Sequence, residues 1–143
     1  MIRTFEEKDL DRIMELWLFT NLSAHEFVKS EYWKNNFDAV KAMMPEAEIY
    51  VYEENEEIQG FIGVMDHYIA GIFVSEQYQS KGIGKKLLDY VKDKHNKLSL
   101  SVYEKNERAI HFYLREQFAF LKKQIDADTG EMEWEMNWRR RKL

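Results

Sequence analysis

The chain has 143 residues, 45% hydrophobic and 15% aromatic, which is enough to build one core of ordinary domain size. Its net charge of −5 argues against nucleic-acid binding, which needs a surplus of Lys and Arg on one surface; zero cysteines exclude a disulfide framework, a thiol nucleophile and a Cys-based metal site. No apolar run reaches the roughly 18 residues of a membrane span, and Met1 to Glu7 lacks the apolar stretch of a secretory signal, so a cytoplasmic location away from membranes is expected.

Ile2 to Phe5 is short and partly apolar and reads as a first strand. Leu10, Ile13, Met14, Leu16, Trp17 and Leu18 recur at spacings of three and four, which predicts a helix, and Tyr32, Trp33, Phe37, Val40 and Met44 predict a second that ends at Pro45. Ile49 to Tyr52 and Ile58 to Met65 flank the charged turn Glu53 to Glu57 as a hairpin, and Tyr68 to Val74 is a fourth strand. The pattern then becomes helical through Ile83, Leu87, Leu88, Tyr90 and Val91. Leu98 to Val102 alternates as a strand, and Asn106 can cap a helix carrying Ala109, Ile110, Phe112 and Tyr113. Strands Phe120 to Ile125 and Met132 to Trp138 flank the turn Asp128-Thr129-Gly130. With no linker, repeat or low-complexity tract, residues 1–143 read as a single α/β domain around one mixed sheet. The four histidines, His25, His67, His95 and His111, show no paired spacing, so no metal is expected. The basic run Arg139 to Lys142 reads as a solvated tail.

Chemistry is expected at the junction between the fourth strand and the third helix, where Gln79-Ser80-Lys81-Gly82-Ile83-Gly84-Lys85 stands. A helix N-terminus offers unpaired N–H groups and partial positive charge to phosphate oxygens; Gly82 and Gly84 remove Cβ atoms, and Lys81 and Lys85 add cations. A P-loop would need Ser or Thr after Gly84-Lys85, where Lys86 stands, and a dinucleotide fingerprint would need glycine at Leu87. Neither is met.

Gln79-x-x-Gly82-x-Gly84 after Ile72-Phe73-Val74 resembles the coenzyme A signature of the GNAT family of N-acetyltransferases. Asn106-x-x-Ala109-Ile110-x-Phe112-Tyr113 is similar to that family's second segment. Element order matches along essentially the whole chain, and a short bacterial single-domain subgroup fits best. The resemblance implies the GNAT fold: a mixed, mostly antiparallel sheet of about seven strands with four helices, in the order strand, two helices, three strands, helix, strand, helix, two strands.

The resemblance also implies roles. The main chain of Ile72, Phe73 and Val74 would pair with the pantetheine arm of acetyl-coenzyme A, and Gln79, Ser80, Lys81, Gly82, Ile83, Gly84 and Lys85 would hold its pyrophosphate. Gly71 fits a close backbone approach or simple packing. Asn106 would contact the coenzyme arm, cap its helix, or both. Tyr113 would be the general acid that protonates the departing thiolate, and an amide near Phe73 or Val74 would polarise the carbonyl. Many relatives place a glutamate base where this chain has Ser101, so Glu104, Asp66, His67 or a water relay must substitute. Gln117-Phe118 stands where relatives have Gly-Phe, which implies mild strain or a different helix ending. His25, Phe27 and Trp33 would border the acceptor groove.

The acceptor implied is an amine, either a small molecule or a protein lysine. Two other readings stay open: a non-catalytic acyl-coenzyme A sensor, motivated by Ser101, and an acetyltransferase toxin acting on charged transfer RNA, motivated by the basic tail. Strands Phe120 to Trp138 could pair across chains, so monomer and homodimer are both expected forms.

Overall fold

The computed structural model describes residues 1–141, so Lys142 of the basic run lies outside the described residues. The chain runs β1 (Ile2–Thr4), α1 (Leu10–Ala24), α2 (Ser30–Met43), β2 (Glu48–Glu54), β3 (Glu57–Met65) and β4 (Tyr68–Val74). It continues with α3 (Ile83–Lys92), β5 (Lys97–Tyr103), α4 (Glu107–Arg115), β6 (Ala119–Ile125) and β7 (Met132–Arg139). This is the order expected from the pattern of apolar residues. Short 3₁₀ turns at Glu7–Asp9, Met44–Glu46 and Glu76–Tyr78 were not foreseen, and Pro45 sits in the second of these, where its fixed φ and missing N–H end α2.

All seven strands join one sheet in the order β1-β2-β3-β4-β5-β7-β6. Side chains that alternate along β2 and β3 feed two apolar layers. Ile49, Val51 and Phe61 pack with Ile13, Met14 and Trp17 of α1, while Tyr50, Ile62 and Val64 pack with Leu87, Leu88 and Val91 of α3. Helices therefore cover both faces of the sheet, which explains the continuous apolar run in the second half of β3: Phe61, Ile62 and Val64 are all fully buried. Each such side chain contributes roughly 1.5–3 kcal/mol by leaving water.

β4 positions everything that follows. It pairs antiparallel with β3 along its length, but the register slips between Gly63 and Val64, leaving Ala70 as an extra residue. Toward β5 it pairs, in parallel, only at Tyr68 with Ser99 and Ile69 with Leu100. Beyond Ile69 the two strands diverge, because β5 follows β7 instead, from Lys97 to Tyr103. The sheet is thus split at its centre, and β4 from Gly71 to Val74 keeps a free edge.

Candidate functional site

A cavity of about 750 Å³ occupies this split. Its floor is the Ile72 and Val74 side of β4, one wall is the loop and first turn of α3, and the opposite wall is α4. Thr20, Ser23 and Ala24, at the end of α1, close one side.

The turn into α3 is shaped by two left-handed residues, Ser80 at φ 63° and Gly82 at φ 84°. Glycine at Gly82 is demanded by that backbone angle, since an added Cβ would meet nothing within 4 Å. Lys86 N–H donates to Gly82 O at 3.0 Å as the first helical bond, and no side chain caps the helix. The N–H groups of Ile83, Gly84 and Lys85 are thereby left without partners among the described residues, and all three residues line the cavity. A Cβ on Gly84 would touch Phe112 Cζ at 3.6 Å and Ile72 Cγ2 at 3.8 Å, ordinary contacts that the fold could accept. The bare backbone there suits an anion that must come close, and these residues fit a phosphate-bearing ligand.

Of the residues expected to hold a coenzyme, Ile72, Val74, Gln79, Ser80, Gly82, Ile83, Gly84, Lys85 and Asn106 line the cavity. Phe73 and Lys81 do not. The Phe73 ring lies on the other face of the sheet, stacked on Phe61 at 4.7 Å, and the Lys81 ammonium stands 5.7 Å from the centre of the Tyr78 ring. The Phe73 ring also folds back over Gly71, where an added Cβ would come within 2.6 Å of its Cε2, so Gly71 is explained by packing. Lys85 is held between Asp89 and Glu116, each at 3.1 Å, and those partners raise its pKa.

Tyr113 lies on the α4 wall, only 8% exposed, and its hydroxyl has no hydrogen-bond partner among the described residues. Burial pushes its pKa above the usual phenol value, so it keeps its proton. Glu104, by contrast, is outside the cavity and forms an ion pair with Lys123. The structure does not bring this carboxylate to the wall, because β5 has turned away beside β7 before residue 104. Ser101 faces its register partner Glu135 on β7. Among lining residues the carboxylate is Glu116, already engaged by Lys85.

His25, Phe27 and Trp33 come together, but not on the cavity wall. The His25 ring stacks on Trp33 at 5.4 Å and meets Phe27 and Tyr103 edge-on at 5.6 and 5.0 Å. Its two nitrogens are fixed by a one-way chain of bonds. Asn106 Oδ1 accepts from Ala109 N–H at 3.2 Å, which turns Asn106 Nδ2 to donate to His25 Nε2 at 3.1 Å. His25 Nδ1–H then donates to Asn21 Oδ1 at 3.1 Å, and Asn21 Nδ2 donates to Trp17 O at 2.9 Å. The ring is neutral; burial lowers its pKa to about 4. Asn106 therefore caps α4 and also ties that helix to the end of α1.

Gln117 takes the left-handed conformation at φ 75°, so the strained helix ending is the one adopted. Sequence reasoning missed Arg108, Phe112 and Arg115 of α4 and Glu116 just after it, which line the cavity. The seven-residue spacing of Arg108 and Arg115, two helical turns, is the signal that could have paired them.

The sequence profile described as "Acetyltransferase (GNAT) family" matches residues 10–120. The peptidyl-lysine N-acetyltransferase YiaC of Escherichia coli is 35% identical over 140 residues, covering 96% of each chain. The peptidyl-lysine N-acetyltransferase YjaB of the same organism is 24% identical over 131 residues, covering 91% of this chain and 89% of its own. Among solved structures, apo YjaB from Escherichia coli superposes with a TM-score of 0.85 at 21% identity, covering 99% of this chain and 98% of its own. The yncA acetyltransferase of Salmonella typhimurium, determined with acetyl-CoA, gives 0.70 at 16% identity, covering 100% and 95%.

Proposed function

This chain belongs to the acetyltransferase (GNAT) family and is an acetyl-coenzyme A-dependent N-acetyltransferase, and from that premise we propose that it acts as a single domain whose acceptor is the side-chain amine of a protein lysine. The similarity to YiaC, a peptidyl-lysine enzyme by name and collinear over nearly the whole chain, favours that acceptor over a small amine. It likewise favours catalysis over a non-catalytic sensor, and the net charge of −5 speaks against a transfer-RNA substrate. The observation that carries the mechanism is the central split in the sheet, with bare helix N–H groups at one end and the protonated Tyr113 on its wall.

Bound acetyl-coenzyme A supplies a thioester as acyl donor. The N–H groups of Ile83, Gly84 and Lys85 hold its pyrophosphate, and the free edge of β4 between Gly71 and Val74 receives the pantetheine arm as an added strand. A β4 amide near Phe73 or Val74 donates to the thioester oxygen as charge develops there. The neutral lysine amine attacks the thioester carbon, and as the C–N bond replaces the C–S bond the Tyr113 hydroxyl, kept protonated by burial, donates its proton to the departing sulfur. The proton shed by the amine passes to solvent water, which reprotonates Tyr113. His25 and Trp33 act through Asn106, which they hold in place, rather than on the acceptor directly.

The test is release of free thiol from acetyl-coenzyme A, followed with lysine peptides and with small amines, for wild type and Tyr113→Phe. Peptide-dependent release, a mass increase mapped to lysine, and a fall in kcat of tenfold or more in the variant with little change in coenzyme KM are expected; tenfold is about 1.4 kcal/mol of barrier. Turnover with small amines alone would overturn the lysine assignment. Coenzyme binding without transfer to any acceptor would make the chain a sensor.

A further inference from the structure

Of the two lysines expected to bring positive charge, Lys81 does not line the cavity and stands over the Tyr78 ring, while Lys85 lines it but is ion-paired to Asp89 and Glu116. Two other cations line it, both from α4. Arg108 donates through Nη1 to Gln79 Oε1 at 3.0 Å and through Nη2 to Ser80 Oγ at 2.9 Å. Gln79 is itself anchored, its Nε2 donating to Val74 O at 3.0 Å. These acceptors are uncharged, so Arg108 keeps its full charge beside the pyrophosphate loop while bracing Ser80 in its strained backbone conformation. Arg115, the last residue of α4, is exposed at the cavity and forms no ion pair among the described residues.

Arg108 and Arg115 are seven residues apart on a continuous helix, which places them on one face, two turns and about 10 Å apart along the axis. Such a pair suits a ligand with two separate anionic groups. Coenzyme A has that pattern: a pyrophosphate and, across the ribose, a 3′-phosphate. Resting on the acetyltransferase reading above, we propose that α4 supplies the electrostatic recognition of the coenzyme, Arg108 at the pyrophosphate and Arg115 at the ribose 3′-phosphate. Arg115 is then the residue that distinguishes coenzyme A from its 3′-dephospho form. A guanidinium suits both tasks because it keeps its charge at all working pH values and can present two N–H groups to one phosphate.

The experiment is equilibrium titration of wild type, Arg108→Ala, Arg115→Ala and Arg115→Lys with coenzyme A and with 3′-dephospho-coenzyme A, read by calorimetry. Wild type is expected to bind coenzyme A at least tenfold more tightly than the dephospho form. Arg115→Ala should lose that preference by weakening coenzyme A alone, Arg115→Lys should regain part of it, and Arg108→Ala should weaken both ligands alike. Unchanged preference in Arg115→Ala, or equal weakening of both ligands by it, overturns the assignment. Wild type binding both ligands with equal affinity overturns it too, while leaving the acetyltransferase reading intact. Wild type binding neither ligand overturns the coenzyme site itself. Matching circular dichroism melts for the variants exclude unfolding as the cause.

Discussion

His25 is held neutral by geometry as well as by burial: Asn106 presents an N–H to Nε2, so a proton added there would set two donors against each other. Its pKa in the folded chain is lowered to about 4, against 6.5 for the free side chain, because burial disfavours the charged form. Above pH about 6.5 both folded and unfolded chains are neutral at this position, and its contribution is whole. As pH falls from about 6.5 to about 4, the unfolded chain takes up a proton that the folded chain refuses, and stability drops by up to about 3 kcal/mol. Urea unfolding measured across that range is expected to show this loss in wild type and a flatter profile in His25→Gln. An equal slope in both would remove His25 as the cause. The sequence marked His25 and Asn106 as separate sites, one for acceptor and one for coenzyme. Their direct bond spans 81 positions, a proximity that no local spacing reveals.

The helices and the longer strands were legible, since a period of two or of three to four is written into their apolar runs, whereas the three-residue β1 and the 3₁₀ turns are too short to show one. The shape of the loop into α3 was legible for a related reason, because left-handed backbone angles and bare helix N–H groups depend on residues adjacent in sequence. What escaped was the direction of side chains at the ends of elements. Lys85 was read as an unpaired cation because Glu116, its partner just beyond α4, is 31 positions away; Glu104 was read as a base because nothing local discloses Lys123 on β6. Gly71 remained open between close approach and packing until the Phe73 ring was seen lying over it. Gly71→Ala must move that ring off Phe61, which predicts a loss of about 1–3 kcal/mol in unfolding free energy. The double variant Gly71→Ala, Phe73→Ala should cost less than the sum of the two single changes, since the clash is gone. Additive costs in such a cycle would separate Gly71 from Phe73 and return it to the coenzyme reading.

Taken whole, the molecule sets a mild electrostatic contrast between its two ligands. It has 26 acidic and 21 basic residues, so a lysine-bearing peptide, the acceptor proposed above, would approach an oppositely charged protein. Asp126, Asp128 and Glu133, on and beside the β6–β7 turn, lie near Tyr32 of α2 and raise its pKa, after burial has done so. The coenzyme, an anion, would meet the overall negative charge but also, under the proposal above, the arginines of α4. Salt should therefore act on the acceptor through long-range attraction, which is screened beyond about 10 Å at roughly 0.1 M. With acetyl-coenzyme A saturating, kcat/KM for a basic lysine peptide is expected to fall several-fold between roughly 0.05 and 0.5 M salt, through KM rather than kcat. A peptide with acidic flanks should show the reverse slope, because screening then removes a repulsion. Identical salt dependence for the two peptides would mean that the charged turn lies off the acceptor's path, and that contacts at the site itself choose the lysine.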